Sequence, residues 1–76
     1  MTEYSATVDA RGQKCPMPVL MTAKTAKTLN SGELLLIEAT DRGAKSDIPA
    51  WALQTGNELV ESSEDGDVLR FIIRKK

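Results

Sequence analysis

The sequence has no histidine and a single cysteine, Cys15. Those two facts remove much of enzyme chemistry. A structural zinc site normally takes four Cys or His ligands, so no metal is expected here. Nucleophile–imidazole pairs, Ser-His or Cys-His, are excluded within the chain. A lone cysteine makes no internal disulfide and no CxxC redox pair. Aromatic residues are scarce as well: one Tyr, one Trp and one Phe. RNA-binding sheets stack bases on aromatics beside a basic face, so direct nucleic-acid binding is not expected. No charge of one sign dominates. Ten Lys and Arg oppose eleven Asp and Glu, for a net charge of −1, which gives no bulk pull towards nucleic acid or acidic lipid. The basic run Arg74, Lys75, Lys76 reads as a solvated tail. The longest wholly apolar run, residues 34–37, falls far short of the ~20 residues a membrane span needs. The chain starts without the basic-then-apolar pattern of a signal peptide. The expectation is a cytoplasmic protein with no membrane association.

What is present is ordinary for a globular protein, 41% hydrophobic and 28% charged, and 76 residues are read as one domain, 1–76. A domain of this size buries only roughly 60% of its unfolded surface. It has no room for an enclosed active site, so any site must be built on the surface from a loop and a helix end.

Residues 4–8 alternate weakly and carry β-branched side chains, as a short strand does. Residues 9–14 are polar, contain Gly12 and read as a loop. Residues 16–29 read as a helix whose two prolines sit in the first turn, where backbone N–H groups have no intrahelical partner. Val19, Thr22, Ala26 and Leu29 share one face at helical spacing, and Asn30-Ser31-Gly32 is stop chemistry. The apolar segment 34–40 reads as a central strand. Ile48, Trp51, Ala52 and Thr55 mark a second helical face that Gly56 closes. Pro49 in its first turn places the start near Ser46 or Asp47. Residues 59–63 and 68–74 read as strands joined by an Asp65-Gly66 hairpin. The order βαβαββ predicts an α+β fold: a two-layer α/β sandwich, with two helices on one face of a four-stranded mixed sheet.

Cys15 lies at the expected N-cap of the first helix, where the helix dipole favours an anion. Cysteine at a helix start beside cations has a lowered pKa, and Arg11 and Lys14 stand within a few residues. Only Met17 offers an early N–H, because Pro18 has none, so dipole and cations must supply most of the thiolate stabilisation. Pro16 and Pro18 stiffen the chain around Cys15, and Gly12 permits a positive φ in the loop before it. A lone cysteine in a cytosolic domain is most often a small buried hydrophobe. Here it follows a polar loop instead of an apolar stripe, which favours chemistry. With the core face centred on Val19, Thr22 and Ala26, Met17, Leu20 and Met21 turn outward. They form either a docking patch near the thiol or side chains packed under a loop or singly exposed.

The run Asp9-x-x-Gly12-x-x-Cys15-Pro16-x-Pro18 resembles the signature of the TusA/SirA-like sulfur-carrier family. Asp47-Ile48-Pro49-Ala50-Trp51 and Gly56-Asn57-Glu58-Leu59 resemble that family's second helix and its exit, so the likeness covers nearly the whole chain. The resemblance implies the same βαβαββ sandwich and no cofactor. It implies a sulfurtransferase that acts as a persulfide carrier in a relay. Cys15 is loaded by a cysteine desulfurase or rhodanese-like donor and passes sulfur to a downstream acceptor protein. Family members serve tRNA thiolation, molybdenum-cofactor enzymes or sulfur oxidation. Where relatives often carry histidine this chain has Asn57, so no role of that histidine transfers. The alternative reading is a non-catalytic regulatory or protein-interaction module that uses the exposed first helix.

Overall fold

The computed structural model describes residues 4–76. Six elements follow one another: β1 (Ala6–Ala10), α1 (Met17–Ala26), β2 (Leu34–Ala39), α2 (Ala44–Thr55), β3 (Glu58–Asp65) and β4 (Val68–Arg74). The sheet order is β1-β2-β4-β3. β1 runs parallel to β2, while β4 is antiparallel to both β2 and β3. The expected mixed four-stranded sheet with two helices is therefore the observed fold. Among the described residues no helix is long and apolar enough to cross a membrane.

Side-chain alternation decides which face of the sheet the helices cover. On β2, Leu35, Ile37 and Ala39 are fully buried, while Leu34, Leu36 and Glu38 are half-buried on the opposite face. Pairing aligns Val8 with Ile37 and Ile37 with Phe71 across three strands, so the covered face carries a continuous apolar row. The uncovered face is tied instead by cross-strand ion pairs, Arg70 with Glu38 at 3.0 Å and Arg74 with Glu58 at 2.8 Å. Ion pairs at the surface each contribute little, about 0–1 kcal/mol, and Arg74–Glu58 is exposed while Arg70–Glu38 is only part-buried, so the apolar row holds the sandwich together. On β3 the register slips between Leu59 and Glu61, leaving Val60 as an unpaired bulge residue that is exposed.

Several boundaries differ from expectation. β1 extends through Asp9 and Ala10, because both pair with β2, opposite Glu38 and Ala39; the loop begins only at Arg11. α1 is shorter than residues 16–29. After Ala26 the chain continues in tight turns, Thr28 N–H to Thr25 O and Leu29 N–H to Ala26 O. Its buried face is Pro18, Thr22 and Ala26, with Val19, Met21 and Leu29 packed against the core edge. That face is rotated by about one residue from the expected one, and it carries Met21 inward. Pro18 thus fills core space as well as stiffening the first turn, and Thr22 Oγ1 donates to its carbonyl at 2.7 Å.

α2 starts at Ala44, earlier than Ser46 or Asp47, so Pro49 lies inside the helix instead of in its first turn. Its missing N–H would have bonded the Lys45 carbonyl. Ala44, Ile48 and Ala52 are buried and Trp51 packs at the core edge, whereas Thr55 is exposed and its hydroxyl bonds the Trp51 carbonyl. Gly56 closes α2 in the left-handed region at φ +76, the ordinary use of glycine after a helix. The β3–β4 turn is Gly66-Asp67 rather than Asp65-Gly66, with Asp65 closing the ladder opposite Val68. Gly66 takes a positive φ of +61 and Asp67 does not, the pattern of a type II′ hairpin.

Candidate functional site

Parallel strands β1 and β2 lie side by side, and each leads directly into a helix. Both strand-to-helix junctions therefore emerge at the same edge of the sheet, where α/β sheets commonly bind ligands. The first junction is residues 11–16 and carries Cys15. The second is residues 40–43 and leads into Asp47 in the first turn of α2.

The second junction holds the first in place. The Gly12 N–H donates to Thr40 Oγ1 at 2.8 Å, and the Cys15 N–H donates to Asp41 Oδ2 at 3.3 Å. Gly12 takes φ +79 to make the turn, which the Gln13 N–H closes onto the Ala10 carbonyl. Pro16 is the N-cap residue of α1 and follows Cys15 through a cis peptide bond. Cys15 thus sits one residue before the cap instead of at it, and no side chain among the described residues caps the helix.

Cys15 is exposed, and its thiol donates to Asp47 Oδ2 at 2.8 Å. The expected electrostatics are reversed. Arg11 does not serve the thiol: its guanidinium grips Asp9 through two hydrogen bonds of 2.8 and 3.0 Å, and this hold lowers the Asp9 carboxyl to about 2. Lys14 lies exposed on the loop and makes no ion pair among the described residues. The groups around the sulfur are acids. The hydrogen bond to Asp47 pushes the Cys15 thiol above its ordinary value, with desolvation and then the charges of Asp47 and Asp41 adding to it. This direction is opposite to the lowered thiol pKa expected from the sequence.

Thr40, Asp41 and Gly43 do not stand out in the sequence, and Asp47 enters there only as a helix start and part of the family likeness, not as a site residue. The signal was topological: two adjacent parallel strands, each followed by a helix, bring their exits together. Gly43 makes the closest approach. A Cβ there would lie 2.8 Å from Asp41 Oδ2 and 3.6 Å from Cys15 Cβ. Gly43→Ala is expected to drive the Asp41 carboxylate off the Cys15 amide. Amide hydrogen exchange at Cys15 should then accelerate roughly 3- to 10-fold, the value of one net hydrogen bond; NMR exchange rates check this.

The surroundings of the thiol are partly apolar. Met17 and Leu20 on α1 are 42% and 54% exposed, whereas Met21 packs against the core. Pro16, Val19, Ala50 and Trp51 line a shallow groove between the two helices, and Asp47 forms part of its wall.

Comparison with known proteins agrees with this architecture. The family model described as sulfurtransferase TusA matches residues 6–75. The sulfur carrier protein TusA of Allochromatium vinosum is 44% identical over 75 residues, covering 99% of each chain. YrkI of Bacillus subtilis is 46% identical over 68 residues, covering 90% of this chain and 91% of its own. The crystal structure of the SirA-like protein from Desulfitobacterium hafniense superposes with a TM-score of 0.79 at 25% identity, over 91% of this chain and 95% of that one. With the model spanning both junctions and all six elements, the chain belongs to the sulfurtransferase TusA family.

Proposed function

We propose that this protein is a sulfur carrier in which Cys15 is the covalent residue. Cys15 takes a sulfane sulfur from a protein donor, held as a persulfide, and passes it to a protein acceptor. The observation that carries this reading is the exposed thiol of Cys15, fixed on its flank by Asp41 and Asp47 and open to a partner. In the loading step the Cys15 sulfur attacks the terminal sulfur of the donor persulfide. The donor S–S bond breaks, its electron pair leaves on the donor cysteine, and that cysteine takes up a proton. The Cys15 proton goes to solvent, and no oxidant or reductant is consumed. Release repeats the exchange in the opposite sense.

Without histidine or a second cysteine, the chain neither resolves its persulfide as a disulfide nor supplies an imidazole base. The donor, a cysteine desulfurase or a rhodanese-like protein, and the acceptor must complete each transfer. Tandem mass spectrometry after incubation with such donors should show one added sulfur, on Cys15. Absence of that adduct with every donor would overturn the reading.

Met17 and Leu20 are the docking residues of α1 in this proposal, and Met21 is not. Their exposed apolar surface adjoins the active loop, and methionine adapts to varied partners. Replacing both Met17 and Leu20 by serine is expected to slow protein-to-protein transfer about tenfold, because two surface apolar anchors contribute on the order of 1 kcal/mol or more between them. The thermal midpoint should stay near that of the wild type. Stopped transfer assays at varied donor concentration check this, the loss appearing at low concentration and fading at saturation.

A further inference from the structure

Two carboxylates stand beside the one cysteine sulfur; they hold the Cys15 loop in place, and sulfur transfer itself gives them no chemical role. Asp47 Oδ2 accepts from Cys15 Sγ at 2.8 Å. Asp41 Oδ2 accepts from the Cys15 N–H and would lie 2.8 Å from a Cβ placed on Gly43. None of the neighbouring cations is bound to these acids among the described residues: Arg11 holds Asp9, Arg42 and Lys45 hold Glu64, and Lys14 makes no ion pair. We infer that Asp47, backed by Asp41, holds the unloaded Cys15 as a hydrogen-bonded thiol, and that a cationic side chain of the sulfur donor, placed beside its persulfide, frees it. This rests on the carrier reading above and names the chemistry of the partner surface that meets the site.

A different role for Asp47, proton acceptor in the attack, is disfavoured by magnitude. Ordinary Asp and Cys differ by more than four pKa units, so moving the thiol proton onto a carboxylate populates the thiolate at a ratio of roughly 1 in 10⁴ to 10⁵. Simple ionisation of an unperturbed thiol near neutral pH gives a few per cent thiolate. As a base Asp47 therefore adds nothing; its hydrogen bond to the S–H and its negative charge favour the thiol over the thiolate, the direction in which the Cys15 pKa moves. A positive charge arriving near Asp47 weakens its hold on the S–H and stabilises the thiolate. The empty carrier is thus quiet towards small electrophiles and oxidants and reactive in a matched encounter. Asp47 is a positioning residue that acts through Cys15.

The test uses the full chain and a pair of thiosulfonate reagents that differ in charge: methanethiosulfonate ethyltrimethylammonium, a cation, and methanethiosulfonate ethylsulfonate, an anion. In each reaction the Cys15 thiolate attacks the reagent's sulfenyl sulfur and methanesulfinate leaves. Rates are followed against pH at low salt, where surface charges are least screened, with free cysteine as reference. In the wild type the pH midpoint should lie above that of free cysteine. The cation-to-anion rate ratio should exceed the free-cysteine ratio by roughly fivefold or more, as expected for charges a few ångströms apart.

Asp47→Asn should lower the midpoint and raise the neutral-pH rate with the anionic reagent several-fold. Asp47→Glu should keep the wild-type profile. Asp41→Asn, which leaves the S–H bond in place, should shift the midpoint less than Asp47→Asn. A wild-type midpoint at or below that of free cysteine, or an unshifted midpoint in a folded Asp47→Asn chain, overturns the inference. No persulfide enters these measurements, so they are independent of loading. If they succeed while no donor loads Cys15, the carrier reading fails and the restraint stands. If loading succeeds and the midpoint does not move, the opposite holds.

Discussion

Cys15→Ser is expected to abolish sulfur transfer while leaving the fold intact. Serine is nearly isosteric with cysteine, and its hydroxyl still donates to Asp47, so the contact between the two junctions survives. What it lacks is a sulfur able to form and release an S–S bond. No other thiol in the chain substitutes, since Cys15 is the only one. Adduct formation in a persulfide assay should fall below detection. Surface substitutions of this kind usually change stability by no more than about 0.5 kcal/mol, so thermal unfolding should match the wild type. A Cys15→Ser chain that kept its cellular role would favour the alternative of an interaction module built on α1.

Ile48→Ala is the substitution expected to cost most in stability. Ile48 is fully buried on α2, between sheet and helix, one residue beyond Asp47. Truncating a buried Ile to Ala costs about 2–5 kcal/mol, depending on how far the cavity relaxes. A chain of this length has roughly 4–11 kcal/mol in total, so the variant is left close to the edge of folding. Urea unfolding should show a large fall in midpoint with little change in slope. Because α2 carries Asp47 to the sulfur, a partly loosened helix should also release Cys15. The variant's neutral-pH thiol reactivity should rise before global unfolding begins.

The sequence revealed the strands, the helices and the cysteine-bearing loop between the first strand and the first helix, because those depend on local signals. Alternation on β4, proline and glycine punctuation and the Cys-Pro-x-Pro run are all readable within a few residues. What escaped depended on contacts between distant segments. Asp9 looked like a loop residue because charge usually marks loops; pairing with β2 makes it strand. The period-2 placement of Asp9 and Arg11 was the available hint that these two side chains would find each other. Proximity in sequence assigns Arg11 to the thiol, whereas the residues that bond Cys15, Asp41 and Asp47, come from 26 and 32 residues away. Met21 was misplaced for a simpler reason. Read only as a backbone device, Pro18 leaves the helix face one residue off; as a buried core side chain it rotates the face to the observed one.

The slipped register at Val60 has a bearing on how this molecule meets copies of itself. β3 is the outermost strand on its side of the sheet, and an outermost strand offers unmatched backbone groups to any neighbour that can extend the sheet. The extra residue breaks the regular spacing of those groups, and Glu61 follows it directly in the chain. A second copy laid along β3 would find its backbone partners out of step and a carboxylate at the break. Sheet-to-sheet growth is thereby discouraged at that border.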